Sequence, residues 1–194
     1  MKFKVFKFNK VTSTNDVAIN LIKKKRKKFG FVYANLQTKG RGTYGKKWIS
    51  EKGNLFGTIF FNLKKNYPTI SEFTLINPII IADIIEKFCK NGTISFKKPN
   101  DIFVNKKKIC GILQEVITLK NKNFLIIGIG INVLTNPTDK LKYKATNLFY
   151  ESQKKHSILK LIKLIILSYE NFFYNLNEYK FINFKRRAKS IALN

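Results

Sequence analysis

Apolar residues along this chain recur in two rhythms. Phe3 to Phe8 alternates apolar and basic positions and predicts a first strand. Ser13 or Thr14 can cap a helix running to about Lys27, with Val17, Ala18, Leu21 and Ile22 on its inner face. Gly30 is expected to end that helix, and Phe31 to Leu36 reads as a strand. After a polar, glycine-rich stretch from Gln37 to Ser50, strand character returns over Asn54 to Leu63. Ser71 to Cys89 carries the strongest helical pattern, and Thr93 to Lys97 is again strand. Pro99, Asn100 and Asp101 make a bend. Ile102 to Val104 and Lys108 to Val116 come next as a hairpin around Asn105, Lys106 and Lys107. A turn at Lys120 to Asn123 leads to a strand over Phe124 to Asn132 containing two glycines. A polar loop then reaches Ala145 to Leu148, and Ser157 to Leu176 is helical with Leu, Ile and Phe on one side. Helices and strands mix without regular βαβ alternation. The expectation is an α+β domain with a mixed, mainly antiparallel sheet packed by helices.

Length changes this picture little: 194 residues suit one compact domain, and no repeat or linker marks a second. A hydrophobic content of 44% excludes global disorder despite the charge. The formal net charge of +27 comes from 38 basic and 11 acidic residues, and such a surface attracts polyanions, acidic proteins and ATP. The basic residues are nearly all Lys, and Lys, Asn, Ile and Phe are over-used together in core and surface alike. An AT-rich coding sequence produces that joint bias. Base readout favours Arg, so specific DNA binding is not expected.

Only Cys89 and Cys110 are present, in no zinc-binding spacing, and both read as buried free thiols of a reduced, cytoplasmic compartment. The N-terminus has no signal-peptide core. The apolar runs Leu75 to Ile85 and Ile158 to Leu167 are interrupted by Pro78 and Asp83 or by Lys160 and Lys163, so no membrane span is expected.

The loop Gly40-Arg41-Gly42-Thr43-Tyr44-Gly45-Lys46-Lys47-Trp48 carries the most chemistry. Its glycines let backbone amides approach anionic oxygens, Arg41, Lys46 and Lys47 add cations, and Trp48 offers a flat face for a base. Gly40 through Lys46 also satisfies the first part of a Walker phosphate loop. Lys47 stands where that motif needs Ser or Thr, however, and Trp48 to Asn54 reads as a turn into a strand rather than a helix. A second cluster is Lys97-Lys98-Pro99-Asn100-Asp101, with Lys108-Ile109-Cys110-Gly111-Ile112-Leu113 and Glu115 a short way beyond it. Gly111 inside an apolar strand suggests close approach by a ligand or another backbone. A third, Ile127-Gly128-Ile129-Gly130-Ile131-Asn132, lacks the third glycine and adjoining helix of a dinucleotide fingerprint. His156 reads as a surface residue, and Asp101 as part of the bend.

Together with Thr12-Ser13-Thr14-Asn15 and Gln37, these clusters resemble the biotin protein ligase family, in family order from about Val11 to Leu148. The matching pieces are S-T-N, Q-T-x-G-R-G-x-x-G-x-x-W, G-N-L, K-x-P-N-D, K-x-x-G-I-L-x-E and G-I-G-I-N. The resemblance implies a biotin/lipoate ligase-like catalytic domain over residues 1–194 that activates biotin with ATP, assisted by Mg²⁺, to biotinyl-5′-AMP. The biotin then passes to a lysine of a biotin carboxyl carrier protein. It implies that Ser13, Thr14, Asn15 and Gln37 contact biotin, that Gly111 lines the biotin tunnel, and that Arg41, Gly42 and Thr43 fold over biotin and adenylate. Lys97 matches the family lysine at the biotin carboxylate and α-phosphate, so Lys97 and Arg41 are the catalytic candidates. Lys46, Trp48, Asn100 and Asn132 fall to the nucleotide side, and no protein-held metal is expected.

Two positions depart from the family pattern: Thr43 where a further Arg often stands, and Lys98 where the bend usually has Trp. By length, the N-terminal DNA-binding domain and the small C-terminal β-barrel of many members are expected to be absent or truncated. Edge-strand homodimerisation is common in the family, though nothing in the residues requires it. Two alternatives stay open: a lipoate or octanoate transferase of the same superfamily, and a degenerate remnant that binds biotin or nucleic acid without catalysis.

Overall fold

The computed structural model describes residues 2–137 and 143–193. Residues 138–142, part of the polar loop expected before Ala145, lie outside them. Seven strands form one sheet: β1 (Val5–Val11), β2 (Phe29–Gln37), β3 (Leu55–Asn62), β4 (Ile94–Lys97), β5 (Asp101–Val104), β6 (Lys107–Leu119) and β7 (Lys122–Ile131). Their order is β1-β2-β3-β7-β6-β5-β4. Helix α1 (Thr14–Lys23) makes the crossover that lets β1 run parallel to β2, and every other pairing is antiparallel. The sheet is therefore mixed and mainly antiparallel, as the pattern predicts.

Alternation along the central strands divides the core between two faces. Phe60, Phe124 and Ile126 pack with Ala18 and Ile22 of α1. The odd-numbered Leu55, Ile59, Phe61, Leu125, Ile127 and Ile129 join the larger cluster under α2 (Ile70–Glu86) and α4 (Ile158–Tyr174). Thr69 and Glu72 form a reciprocal capping box that starts α2. Buried Asn77 bridges layers, donating to Gln114 Oε1 at 2.7 Å and accepting from the Tyr169 hydroxyl at 2.9 Å.

Several local expectations are revised. Gly30 lies inside β2 rather than at the end of α1, which stops at Lys23. Arg26 adopts the left-handed conformation that reverses the chain, and a Cβ on Gly30 would sit 2.7 Å from the Phe6 ring. Asn105 and Lys106 both have positive φ and form a two-residue turn, so β6 begins at Lys107. Lys120 and Asn121 repeat that geometry between β6 and β7.

The apolar pattern does not foretell two helices: the five-residue α3 (Leu148–Ser152) and α5 (Phe181–Ser190). Helix α5 is amphipathic, with Phe181, Phe184 and Ala188 turned inward among exposed basic residues. Arg187 ties it to Asp83 at 2.9 Å and to Glu86 at 2.6 Å on α2. The segment beyond α5 then covers the free edge of β4, with Phe96 N–H donating to Ile191 O at 2.6 Å. Both cysteines are buried free thiols, and no helix among the described residues is long and apolar enough to cross a membrane.

Candidate active site

On the α1 face, the phenylalanine and isoleucine floor of β3 and β7 gives way to glycine. Gly111 of β6 stands opposite Gly130 of β7, and Gly128 stands opposite Thr58 of β3. Strand alternation puts Gly111, Gly128 and Gly130 on the side where Phe124 and Ile126 meet α1. The absent side chains make room for Trp48 and Asn15, and together these residues line a cavity of about 320 Å³. A Cβ on Gly128 would collide with Asn15, and one on Gly111 would lie 2.6 Å from the Trp48 ring.

Buried hydroxyls and amides form one end of the cavity. Ser13, Thr14 and Asn15 sit at the start of α1, all buried. Gln37, at the end of β2, accepts at Oε1 from the Thr14 N–H (2.8 Å) and from its hydroxyl (3.1 Å). Its Nε2 donates to Ser50 Oγ at 3.1 Å. Thr58 lies fully buried beneath, its hydroxyl 2.6 Å from Asn15 Oδ1 and 2.8 Å from Thr14 Oγ1. Asn15 Oδ1 can only accept, so the Thr58 proton points there.

The Arg41–Trp48 loop closes the cavity. Gly42 N–H donates to Lys46 O at 2.6 Å and Trp48 N–H to Gly40 O at 2.9 Å, while Tyr44 and Gly45 make the reversal at positive φ. Trp48 is thereby carried back onto Gly111 and Gly130. Its indole Nε1 is buried with no hydrogen-bond partner among the described residues. Arg41 lies between two carboxylates: Nη1 meets Asp16 Oδ1, and Nη2 meets both oxygens of Glu115 at 3.0 and 2.9 Å. Burial works against its charge, but the hydrogen bonds it donates to Asp16 and Glu115 and their negative charges outweigh it. The guanidinium is held more firmly protonated than usual.

Cations gather at the opposite end. Lys108 is buried to 12% side-chain exposure, with Nζ 2.7 Å from Asp101 Oδ1, 4.8 Å from the Tyr143 ring centre and 5.6 Å from that of Trp48. Lys97 lines the same cavity from an exposed position, with Lys46 also at the rim. Asn100 Nδ2 donates to Ile112 O at 2.8 Å, fastening the bend to β6. Asp101, expected in the bend, is instead the first residue of β5, paired with Lys97 and Gly111, and from there engages Lys108.

The structure brings together Ser13, Thr14, Asn15, Gln37, Arg41, Gly42, Thr43, Lys46, Trp48, Lys97, Asn100 and Gly111 around this one cavity. Asn132 is not with them. Its position in the sequence suggests a nucleotide contact, but its buried side chain donates to Thr146 O at 3.0 Å and fixes the chain beyond β7. The sequence alone assigns no role to Lys108, Glu115, Thr58, Asp16, Gly128, Gly130 or Tyr143. Glu115 was accessible from period two alone, since 111, 113 and 115 share a face of β6. Choosing between Lys97 and Lys108 required burial. His156, half-buried, meets Ser152 Oγ at 2.7 Å and the Phe88 ring, remote from the cavity.

Comparison with known proteins agrees with this geometry. The biotin/lipoate A/B protein ligase family model matches residues 5–132. The bifunctional ligase/repressor BirA of Bacillus subtilis is 30% identical over 188 residues, covering 94% of this chain and 58% of that protein. Among solved structures, the Aquifex aeolicus biotin protein ligase in complex with biotin and ATP superposes with a TM-score of 0.81 at 28% identity, covering 98% of this chain and 78% of that one. The Leishmania major biotin protein ligase in complex with biotinyl-5-AMP gives 0.78 at 26% identity, covering 98% and 81%. The chain thus spans 58% of the length of its Bacillus subtilis relative. With two thirds of its residues under the family model and the family's fold throughout, the chain belongs to the biotin/lipoate A/B protein ligase family.

Proposed function

We propose that this chain activates biotin with ATP to biotinyl-5′-AMP and transfers the biotinyl group to a lysine of a biotin carrier domain. One observation carries the reading: a single cavity has a buried amide and hydroxyl end, a glycine-floored middle and a cationic end. A ureido ring needs paired donors and acceptors, which Thr14, Asn15 and Gln37 supply from fixed positions. A dithiolane or an octanoyl chain has no polar ring atoms to engage these amides and hydroxyls, which disfavours the lipoate reading. The glycines let Trp48 and Asn15 lie close to the sheet, and the cavity they line leads a ligand's carboxylate toward the cations.

In the first half-reaction a carboxylate oxygen attacks the α-phosphorus of ATP, and pyrophosphate leaves with the electrons of the broken P–O bond. Negative charge grows on the α-phosphate oxygens, and cations fixed in a partly dry site stabilise it. Lys108 suits that role best, because it is buried and held by Asp101. Arg41 and the loop amides assist, and Lys97 contributes from the rim. Trp48, Lys46 and Asn100 face the nucleotide. In the second half-reaction the neutral amine of the acceptor lysine attacks the anhydride carbonyl and AMP departs. The loop's share is to exclude water while the partners are aligned. Mg²⁺ is expected to enter on the triphosphate, because the charged side chains lining the cavity are chiefly cationic.

The +27 charge favours an acidic docking partner, so added salt is expected to slow association with the carrier. Two buried free thiols support a cytoplasmic setting. Biotin-dependent ATP–pyrophosphate exchange tests the first half-reaction. Exchange above background supports the reading, and its absence in folded protein refutes it.

A further inference from the structure

Glu115 touches both the amide-rich end of the cavity and the loop that closes it. Its Oε2 accepts from Asn15 Nδ2 at 2.6 Å, and its two oxygens accept from Arg41 Nη2 at 3.0 and 2.9 Å. A carboxylate can only accept, so Asn15 must turn its NH₂ toward Glu115 and its oxygen toward the Thr58 hydroxyl. Gly128 lets the amide lie against the sheet in that orientation. The same carboxylate, with Asp16, fixes where the Arg41 guanidinium stands and so anchors the first residue of the closing hairpin.

We propose that Glu115 is a positioning residue that orients the Asn15 amide and anchors Arg41 before any ligand arrives. One side chain on rigid β6 thus aligns the amide-rich end with the closing loop. This deepens the biotin-activating reading and rests on it for the ligands, but not for the loop. Glutamine at 115 keeps size and shape while replacing one oxygen by NH₂. With its NH₂ at the Oε1 place it sets a donor against Arg41 Nη2 while the oxygen at the Oε2 place still accepts from Asn15; turned the other way, it opposes both.

The test compares amide hydrogen exchange in ligand-free wild type, Glu115→Gln, Arg41→Met and the double variant. Losing one charge-assisted hydrogen bond is expected to speed exchange at Gly42 and Trp48 about tenfold in Glu115→Gln, with core amides such as Ile127 unchanged. In the Arg41→Met background the same change should add nothing, because the contact it acts through has gone. Calorimetry without nucleotide should show biotin binding about tenfold weaker in Glu115→Met, which removes the acceptor for Asn15 as well and so reports the Asn15 half. Unchanged loop exchange, exchange raised equally across the core, or additive effects in the double variant would overturn the proposal. Loop exchange needs no ligand, so its outcome is separate from pyrophosphate exchange by wild type, which judges the biotin-activating reading.

Discussion

Thr58→Val removes one hydroxyl and almost no volume from a fully buried position of β3. The lost proton is the one donated to Asn15 Oδ1 across 2.6 Å, and the lost oxygen is the 2.8 Å partner of Thr14 Oγ1. Thr14 can turn its proton to Gln37 Oε1, so it keeps a partner. Asn15 cannot compensate, because it is 2% exposed and its NH₂ is committed to Glu115. One buried acceptor therefore loses its donor, at about 1–3 kcal/mol. For a chain of this size the melting temperature should fall by about 2–12 °C. The freed amide should also cost about tenfold in biotin affinity, or about 1.4 kcal/mol. Thermal melting by circular dichroism and biotin calorimetry measure the two effects. Thr58→Ser separates them, because it keeps the hydroxyl and sacrifices about 0.8 kcal/mol of methyl burial, leaving biotin binding intact. If Thr58→Val melts and binds like wild type while Thr58→Ser does not, the hydrogen-bond chain beneath the cavity does not hold the site.

Three further outcomes are expected. Lys108→Ala should slow biotin-dependent pyrophosphate exchange by about 10²–10³, the loss typical of one fixed donor at a developing oxyanion. Lys97→Ala should cost less than about tenfold, because an exposed charge is screened; the reverse ranking would return the role to Lys97. Burial first, then the charges of Lys160 and Lys154, hold the His156 imidazole below its usual range. The unfolded chain therefore binds more protons, so stability should be lost as pH falls from about 6.5 toward the lower folded value. Denaturant titrations should show that slope flattened in His156→Asn. Burial pushes Cys89 up to about 11 and raises Cys110 as well, so neither thiol should react with an aromatic disulfide at pH 8 until the chain unfolds. Rapid labelling of folded protein would contradict the packing.

The parts of the site legible in the sequence were those where residue type alone restricts chemistry. A glycine and cation loop from Gly40 to Lys47, a Ser-Thr-Asn helix start and a polar Gln37 after an apolar strand have few other uses together. Long apolar rhythms likewise gave β3, α2 and β7. What stayed hidden depended on pairing across strands. Thr58 is an ordinary strand residue until register sets it opposite Gly128, beneath Asn15. Lys97 and Lys108 look alike in a lysine-rich chain, and only burial beside Asp101 separates them. Asn132 sits just past Gly128 and Gly130, yet the chain leaves β7 before it and turns its amide to Thr146. Helix α5 carries its own apolar rhythm at Phe181, Phe184 and Ala188, short and crowded by basic residues, but its place against α2 depends on the Arg187 ion pairs with residues far away in sequence.

The central claim meets its most direct test when the purified protein is incubated with biotin, Mg-ATP and a biotin carrier domain, and the acceptor is probed for covalently attached biotin. The account expects one acceptor lysine to become labelled, in an ATP-dependent reaction. A folded protein that leaves the acceptor unlabelled and releases no pyrophosphate would contradict it.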